Sequence, residues 1–227
     1  MSNEFPDDLK TGVYKAIFER RDMRHFAPGQ TVDKAVLARL LEAAHAAPSV
    51  GLMQPWRFIR VVSKSTREAL HQLVEDERIA TARAMEARED EFMQLKVQGI
   101  LDCAEVLVVS LMGNREQHVF GRRTIPEMDL ASASCAIQNM WLAARAEGLG
   151  MGWVSLFDPQ ALKQALAMPE DASPIAILCL GPVDKFYDKP MLVQEGWAKR
   201  GKLEHYLMED GWDAGKASAA QEQWDEK

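Results

Sequence analysis

At 227 residues and 25.5 kDa the chain has room for one domain and none for separate cofactor and substrate domains, so a single core must bind any cofactor and run the chemistry. Apolar residues at 47% and charged residues at 27% fall in the globular range and exclude a disordered chain. A net charge of −7 argues against nucleic acid or an anionic membrane as partner, so any bound phosphate must be held by a local basic cluster.

In chain order, Thr11 to Glu19 has apolar residues at helical spacing (Val13, Ala16, Ile17) and empties into the basic run Arg20-Arg21-Asp22-Met23-Arg24. A second helix follows Thr31, with Val36, Leu37, Leu40, Leu41 and Ala44 on one face, and stops at Pro48. The loop Pro48 to Pro55 leads to a strand over Trp56 to Val62. Ser65 to Gln98 reads as helix, broken between Asp76 and Thr81, with a charged stretch over 83–98 that suits either a solvated face or a mobile cover. Ala104 to Leu111 is an almost continuous apolar run, the mark of a strand buried on both faces and central in its sheet. Asp129 to Ala146 is small or apolar nearly all round and closes at Gly148, so a partner copy is expected to cover part of it.

Two short strands, Met151 to Leu156 and Ile175 to Leu180, flank a helix over Asp158 to Ala167. The pattern predicts an α+β fold, a mixed sheet covered by helices, with residues 1–207 as one domain and 208–227 as a polar, poorly ordered tail. Cys103, Cys135 and Cys179 lack C-x-x-C spacing and sit in apolar stretches, as buried free thiols of a reducing compartment do. With no apolar leader at the N-terminus and no apolar run near ~18 residues, the expected location is the cytoplasm.

The sequence contains no G-x-x-x-x-G-K-[ST], G-x-G-x-x-G, G-x-S-x-G or H-E-x-x-H, and its five histidines show no metal-ligand spacing. Three signals remain. Arg20, Arg21 and Arg24 can grip a phosphate or a planar anionic edge bidentately, or form an ordinary solvated run. The loop 48–55 offers Ser49 and Gln54 around Gly51, where backbone can approach a ligand closely, and would also serve as a plain turn. Gly148-Leu149-Gly150-Met151-Gly152-Trp153-Val154-Ser155 sets glycines before a strand that ends in a hydroxyl; a simple helix cap also explains Gly148.

As a set, R-R-D-M-R, A-A-P-S-V-G-L-M-Q-P-W-R-F at 46–58, A-S-A-S-C-A-I-Q-N-M-W-L-A-A at 131–144 and G-L-G-M-G-W at 148–153 resemble the flavin-dependent nitroreductase superfamily over residues 12–200. The acidic Asp22, G-W-V-S at 152–155 and D-K-P-M-L-V-Q-E-G-W-A-K-R at 188–200 are similar to the branch that consumes reduced FMN. The resemblance implies an intertwined α+β homodimer with FMN at the subunit interface. It implies that Arg20, Arg21 and Arg200 hold the phosphate, that Met23 and Arg24 meet the isoalloxazine edge, and that Ser49, Gly51 and Gln54 reach the flavin from the other subunit. Gly152 and Trp153 are expected against its N5. The implied reaction is fragmentation of reduced FMN by O2 to 5,6-dimethylbenzimidazole and erythrose 4-phosphate, with a separate flavin reductase supplying the FMN and NAD(P)H entering only indirectly. Asp22, held ionised by its arginine neighbours, and Ser155 are the expected catalytic groups. An NAD(P)H-dependent nitro- or ene-reductase and a flavin-sequestering binding protein are the alternatives.

Overall fold

In the computed structural model, which describes residues 3–225, the chain forms two compact units, Met1–Phe186 and Tyr187–Lys227. The first holds six helices and a four-stranded sheet: α1 (Asp7–Glu19), α2 (Lys34–His45), β1 (Trp56–Val61), α3 (Lys64–Ala84), α4 (Glu89–Gln94), β2 (Glu105–Leu111), α5 (Met128–Ala146), β3 (Gly150–Val154), α6 (Pro159–Ala165) and β4 (Ser173–Gly181).

The strands run β1-β2-β4-β3, each antiparallel to its neighbour. The four-stranded sheet is thus antiparallel throughout, and a parallel bridge between Asp22 and Met151 lies outside the named strands, on the free edge of β3. The continuous apolar run of β2 is buried at every residue, as a strand with partners on both edges and helices on both faces must be. One face of the sheet presents Leu107, Val109, Leu111, Ala176, Leu178 and Leu180 to α2 and α5. The alternate residues Val106, Val108, Ile177 and Cys179 are buried on the other face. There α6 packs on β4 and on α3.

Local chemistry sets the element ends. Asp33 caps α2 by accepting from the Ala35 N–H at 2.8 Å, and Asp158 caps α6 by accepting from Ala161 N–H at 2.6 Å. Gly148, at φ 75°, closes α5 as expected, with its N–H donating to Arg145 O and that of Leu149 to Ala144 O.

Three expectations are corrected. The long helix does not break between Asp76 and Thr81: α3 continues to Ala84, because Leu70, Val74 and Ala82 keep one face buried past that point, and it ends where Glu86 takes a φ of 47°. Beyond the kink, α4 returns along α3, burying Phe92 and Leu95, and Arg78 of α3 donates to the carbonyls of Met93 and Leu95. The tail contains a helix, α8 (Ala214–Asp225), after the short α7 (Met191–Gln194); its Ala, Gln and Lys favour helix and Asp213 accepts from the Lys216 N–H at 3.0 Å. Cys103 and Cys179 are buried free thiols, but Cys135 is exposed, because α5 leaves a stripe with Ala131 and Gln138 uncovered in the single chain. No helix among the described residues is long and apolar enough to cross a membrane.

Candidate active site

The site forms where the exit of α1 crosses the edge of β3. Residues 22–24 run extended along that edge, the Met23 N–H donating to Met151 O at 3.0 Å. Such close approach requires glycine in β3. A Cβ on Gly152 would stand 2.2 Å from Met23 O and 2.6 Å from Arg24 Nη1, so Met23 and Arg24 fill the space a side chain would take.

This crossing builds a closed polar triangle. Asp22 Oδ1 accepts from the Trp153 N–H at 3.0 Å, Asp22 Oδ2 pairs with Arg24 Nη2 at 2.6 Å, and the same nitrogen donates to Trp153 O at 2.8 Å. Met23 and Arg24 are buried, while the Asp22 side chain keeps 43% of its surface accessible. Its carboxylate is therefore packed by protein on one side and open to a ligand on the other. Burial is the strongest influence on its pKa and pushes it above the ordinary 3.8; the Arg24 charge, the Trp153 N–H and the Arg20 charge, in falling order, pull it back. The arginines favour the ionised form, and desolvation by burial outweighs their pull on the pKa.

Arg20 ends α1 with its guanidinium 4.5 Å from the centroid of the Trp141 ring, and Arg21 Nη1 donates to Phe18 O and Arg20 O, each at 2.8 Å. Ser155 lies one residue beyond β3 and is exposed. Arg200 belongs to the second unit, exposed on an irregular stretch after α7.

The loop after α2 is built separately. Ser49 Oγ accepts from the Gln54 N–H at 3.0 Å, and Ser132 of α5 accepts from the Val50 N–H at 3.0 Å. Gly51, Leu52 and Gln54 all have positive φ, and the two that are not glycine store backbone strain. Phe120 packs over Gly51, on a connection braced by Asp129, which takes Arg115 Nε at 2.8 Å and Arg122 Nη2 at 3.0 Å. Within one chain the loop and the arginine segment are anchored at different points of α5. α5 holds Val50 through Ser132 and Arg21 through Trp141, and nine helical residues separate those anchors by about 14 Å.

Residues 17–182 match the model of the nitroreductase family. The chain belongs to the nitroreductase family. Among curated members of that family's wider kin it is 40% identical over 202 residues to the 5,6-dimethylbenzimidazole synthase of Rhodospirillum rubrum, covering 86% of this chain and 93% of that protein. It is also 40% identical over 182 residues to the 5,6-dimethylbenzimidazole synthase of Rhodobacter capsulatus, covering 78% and 86%. Its fold is similar to that of the NADPH:FMN oxidoreductase of Vibrio harveyi, solved with NAD+, at a TM-score of 0.68 and 18% identity over 93% of this chain and 83% of that one.

In this nitroreductase-family chain the sequence signals for Arg20–Arg24 and for the glycine strand point to one place, and the bridge through Met151 is what joins them. The side chains that sequence reasoning passed over are Trp141 and Arg145, four residues apart on α5. Trp141 Nε1 donates to Arg21 O at 3.2 Å, and Arg145 pairs with Glu19 Oε2 at 2.7 Å. Their spacing reads as core helix, and the only hint is an indole and a guanidinium on a helix of mostly small or apolar residues.

Proposed function

We propose that this chain fragments reduced FMN with O2, releasing 5,6-dimethylbenzimidazole, the lower ligand of vitamin B12, and erythrose 4-phosphate. The observation that carries the reading is the 40% identity over nearly the whole length of a protein named for that product. The donor set suits the substrate. Arg20 and Arg21 at the helix exit are bidentate donors for the phosphate, with Arg200 the further phosphate ligand implied by the family pattern. Arg24, buried at β3 with Met23, supplies positive charge for the electron-rich pyrimidine edge of the reduced flavin. Gly152 and Trp153 form the backbone against which the ring system lies.

Bound there, reduced FMN supplies both the electrons for O2 and the carbon skeleton of the product. The protein's part is to orient it, to exclude water and to move protons. Asp22 accepts a proton at the ribityl chain from a position fixed by Trp153 and Arg24. Ser155 offers a hydroxyl at the exit of β3. The kink at Glu86 gives the segment 83–98 a hinge if it closes over the ligand.

A homodimer completes the pocket. The copy of the loop carrying Ser49, Gly51 and Gln54 that reaches the flavin is the partner's, as the family pattern implies; within one chain the loop is tied to α5 at Ser132 and the arginine segment at Trp141, about 14 Å apart along the helix. The exposed apolar side of α1, with Val13, Tyr14, Ile17 and Phe18, and the uncovered stripe of α5 are surfaces such a partner would bury. A separate flavin reductase supplies the reduced FMN, and NAD(P)H acts only through it. Three free thiols fit a cytoplasmic setting.

Mixing the purified protein with chemically reduced FMN in air is expected to yield one benzimidazole per FMN consumed. Recovery of intact FMN after many equivalents of O2 would reject the reading, and NADPH with a nitroaromatic would then separate a reductase from a binder. The acid limb of the rate profile should lie above the ordinary carboxylate value of 3.8, and Arg24→Gln, measured at saturating FMN, should move it further up, because the Arg24 charge that holds it down is gone. An acid limb that stays in place in Arg24→Gln would remove Asp22 as the titrating base.

A further inference from the structure

The arginines proposed to hold the phosphate stand at an electrostatically poor place for it. They leave the C-terminus of α1, where the helix dipole is negative and free carbonyls compete for guanidinium donors. Arg21 already turns back in this way, donating to Phe18 O and Arg20 O. A clamp at such a site works only if something holds the guanidiniums and the backbone beneath them in place.

Trp141 does both. Its indole N–H fixes the Arg21 carbonyl at 3.2 Å, and the face of the same ring carries the Arg20 guanidinium 4.5 Å from its centroid. The side chain is 8% exposed and sits on α5, the most buried helix of the fold, so its own position is rigid. One turn further on, Arg145 ties down the preceding residue, pairing with Glu19 Oε2 and donating to Glu19 O at 3.4 Å.

We infer that Trp141 is a positioning residue that sets selectivity for the phosphorylated flavin, FMN, over riboflavin. The inference rests on the reading that Arg20 and Arg21 bind the phosphate. Trp141 touches no part of the ligand in this role; it acts through the two arginines, by seating one guanidinium and fixing the backbone of the other. Loosening it therefore weakens the phosphate contact and leaves the ring contacts at Arg24, Gly152 and Trp153 alone.

The test is a pair of fluorescence titrations, with oxidised FMN and with riboflavin, on wild type, Trp141→Phe and Trp141→Leu. Wild type should bind FMN at least tenfold more tightly than riboflavin. Trp141→Phe keeps a ring face but loses the N–H, and its FMN preference should fall about threefold; Trp141→Leu loses both and its preference should fall about tenfold. In each variant the riboflavin Kd should stay within about twofold of wild type. Parallel weakening of both ligands in Trp141→Phe means a merely structural side chain and overturns the inference, as does an unchanged preference. A wild type that does not distinguish FMN from riboflavin refutes the phosphate clamp itself, a separate failure.

Discussion

Asp22→Asn should lose product formation by about 10²–10⁴-fold while its FMN affinity stays within about threefold of wild type. The carboxylate is the one acidic group in the triangle with Arg24 and Trp153, and the asparagine amide keeps the shape but cannot take up a proton. Because burial outweighs Arg24, the Asp22 pKa in the folded chain lies above the 3.8 of an unfolded one. Below pH 3.8 both states hold the proton and the group has no effect on stability. As pH rises from there through the folded pKa, the unfolded chain releases its proton first, so stability falls, and above the folded pKa the full cost remains. An ionised Asp22 thus destabilises the ligand-free fold at neutral pH. The substitution relieves that cost while it weakens the pairing with Arg24. The two effects oppose each other, and Tm should stay within ~3 °C of wild type. Product analysis at saturating reduced FMN with a parallel thermal melt decides it: wild-type turnover by Asp22→Asn would end the role proposed for this residue.

The other site variants sort by what they touch. Ser155→Gly, at the exposed exit of β3, should keep FMN binding and lose most product. Arg20→Ala and Arg200→Ala should lose binding before turnover, since a phosphate contact acts on bound and reacting substrate alike.

Much of the fold is legible in the chain because it rests on local signals. The apolar run of β2, the small-residue helix α5 and the Gly148 cap each announce themselves within a few residues. What is not legible is long-range. The end of α3 depends on which face the protein buries, and the break expected between Asp76 and Thr81 is prevented by the packing of Val74 and Ala82. The exposure of Cys135 depends on what covers α5. The pKa of Asp22 is the sharpest case: its sequence neighbours are arginines, yet the deciding influence is desolvation by a strand that begins well over a hundred residues later. Trp141 was hidden for the same reason, its role being fixed by an arginine and a carbonyl at the far end of the chain.

Gly152 gives the second large effect, and it separates two reasons for having a glycine there. If the residue only lets a flat ligand approach, Gly152→Ala should weaken FMN and leave the ligand-free protein untouched. The geometry says otherwise. The added methyl would meet the Met23 carbonyl at 2.2 Å, and that obstacle is backbone, tied to Met151 by the hydrogen bond that forms the bridge. The 22–24 segment must therefore move by about 1 Å, which takes Asp22 and Arg24 with it and should lower turnover with reduced FMN about 100-fold. The same displacement breaks packing in the ligand-free chain, at a cost of about 1–3 kcal/mol, or a fall in Tm of roughly 3–10 °C. Gly150→Ala is the matched control, because the nearest atoms its Cβ would meet, Val183 Cγ1 at 2.4 Å and Met23 Cγ at 3.1 Å, belong to side chains and not to backbone. Melts and turnover of the two variants should rank Gly152→Ala well below Gly150→Ala on both measures. A Gly152→Ala protein with wild-type Tm would mean that the strand tolerates a side chain against Met23, and that the glycine serves the ligand alone.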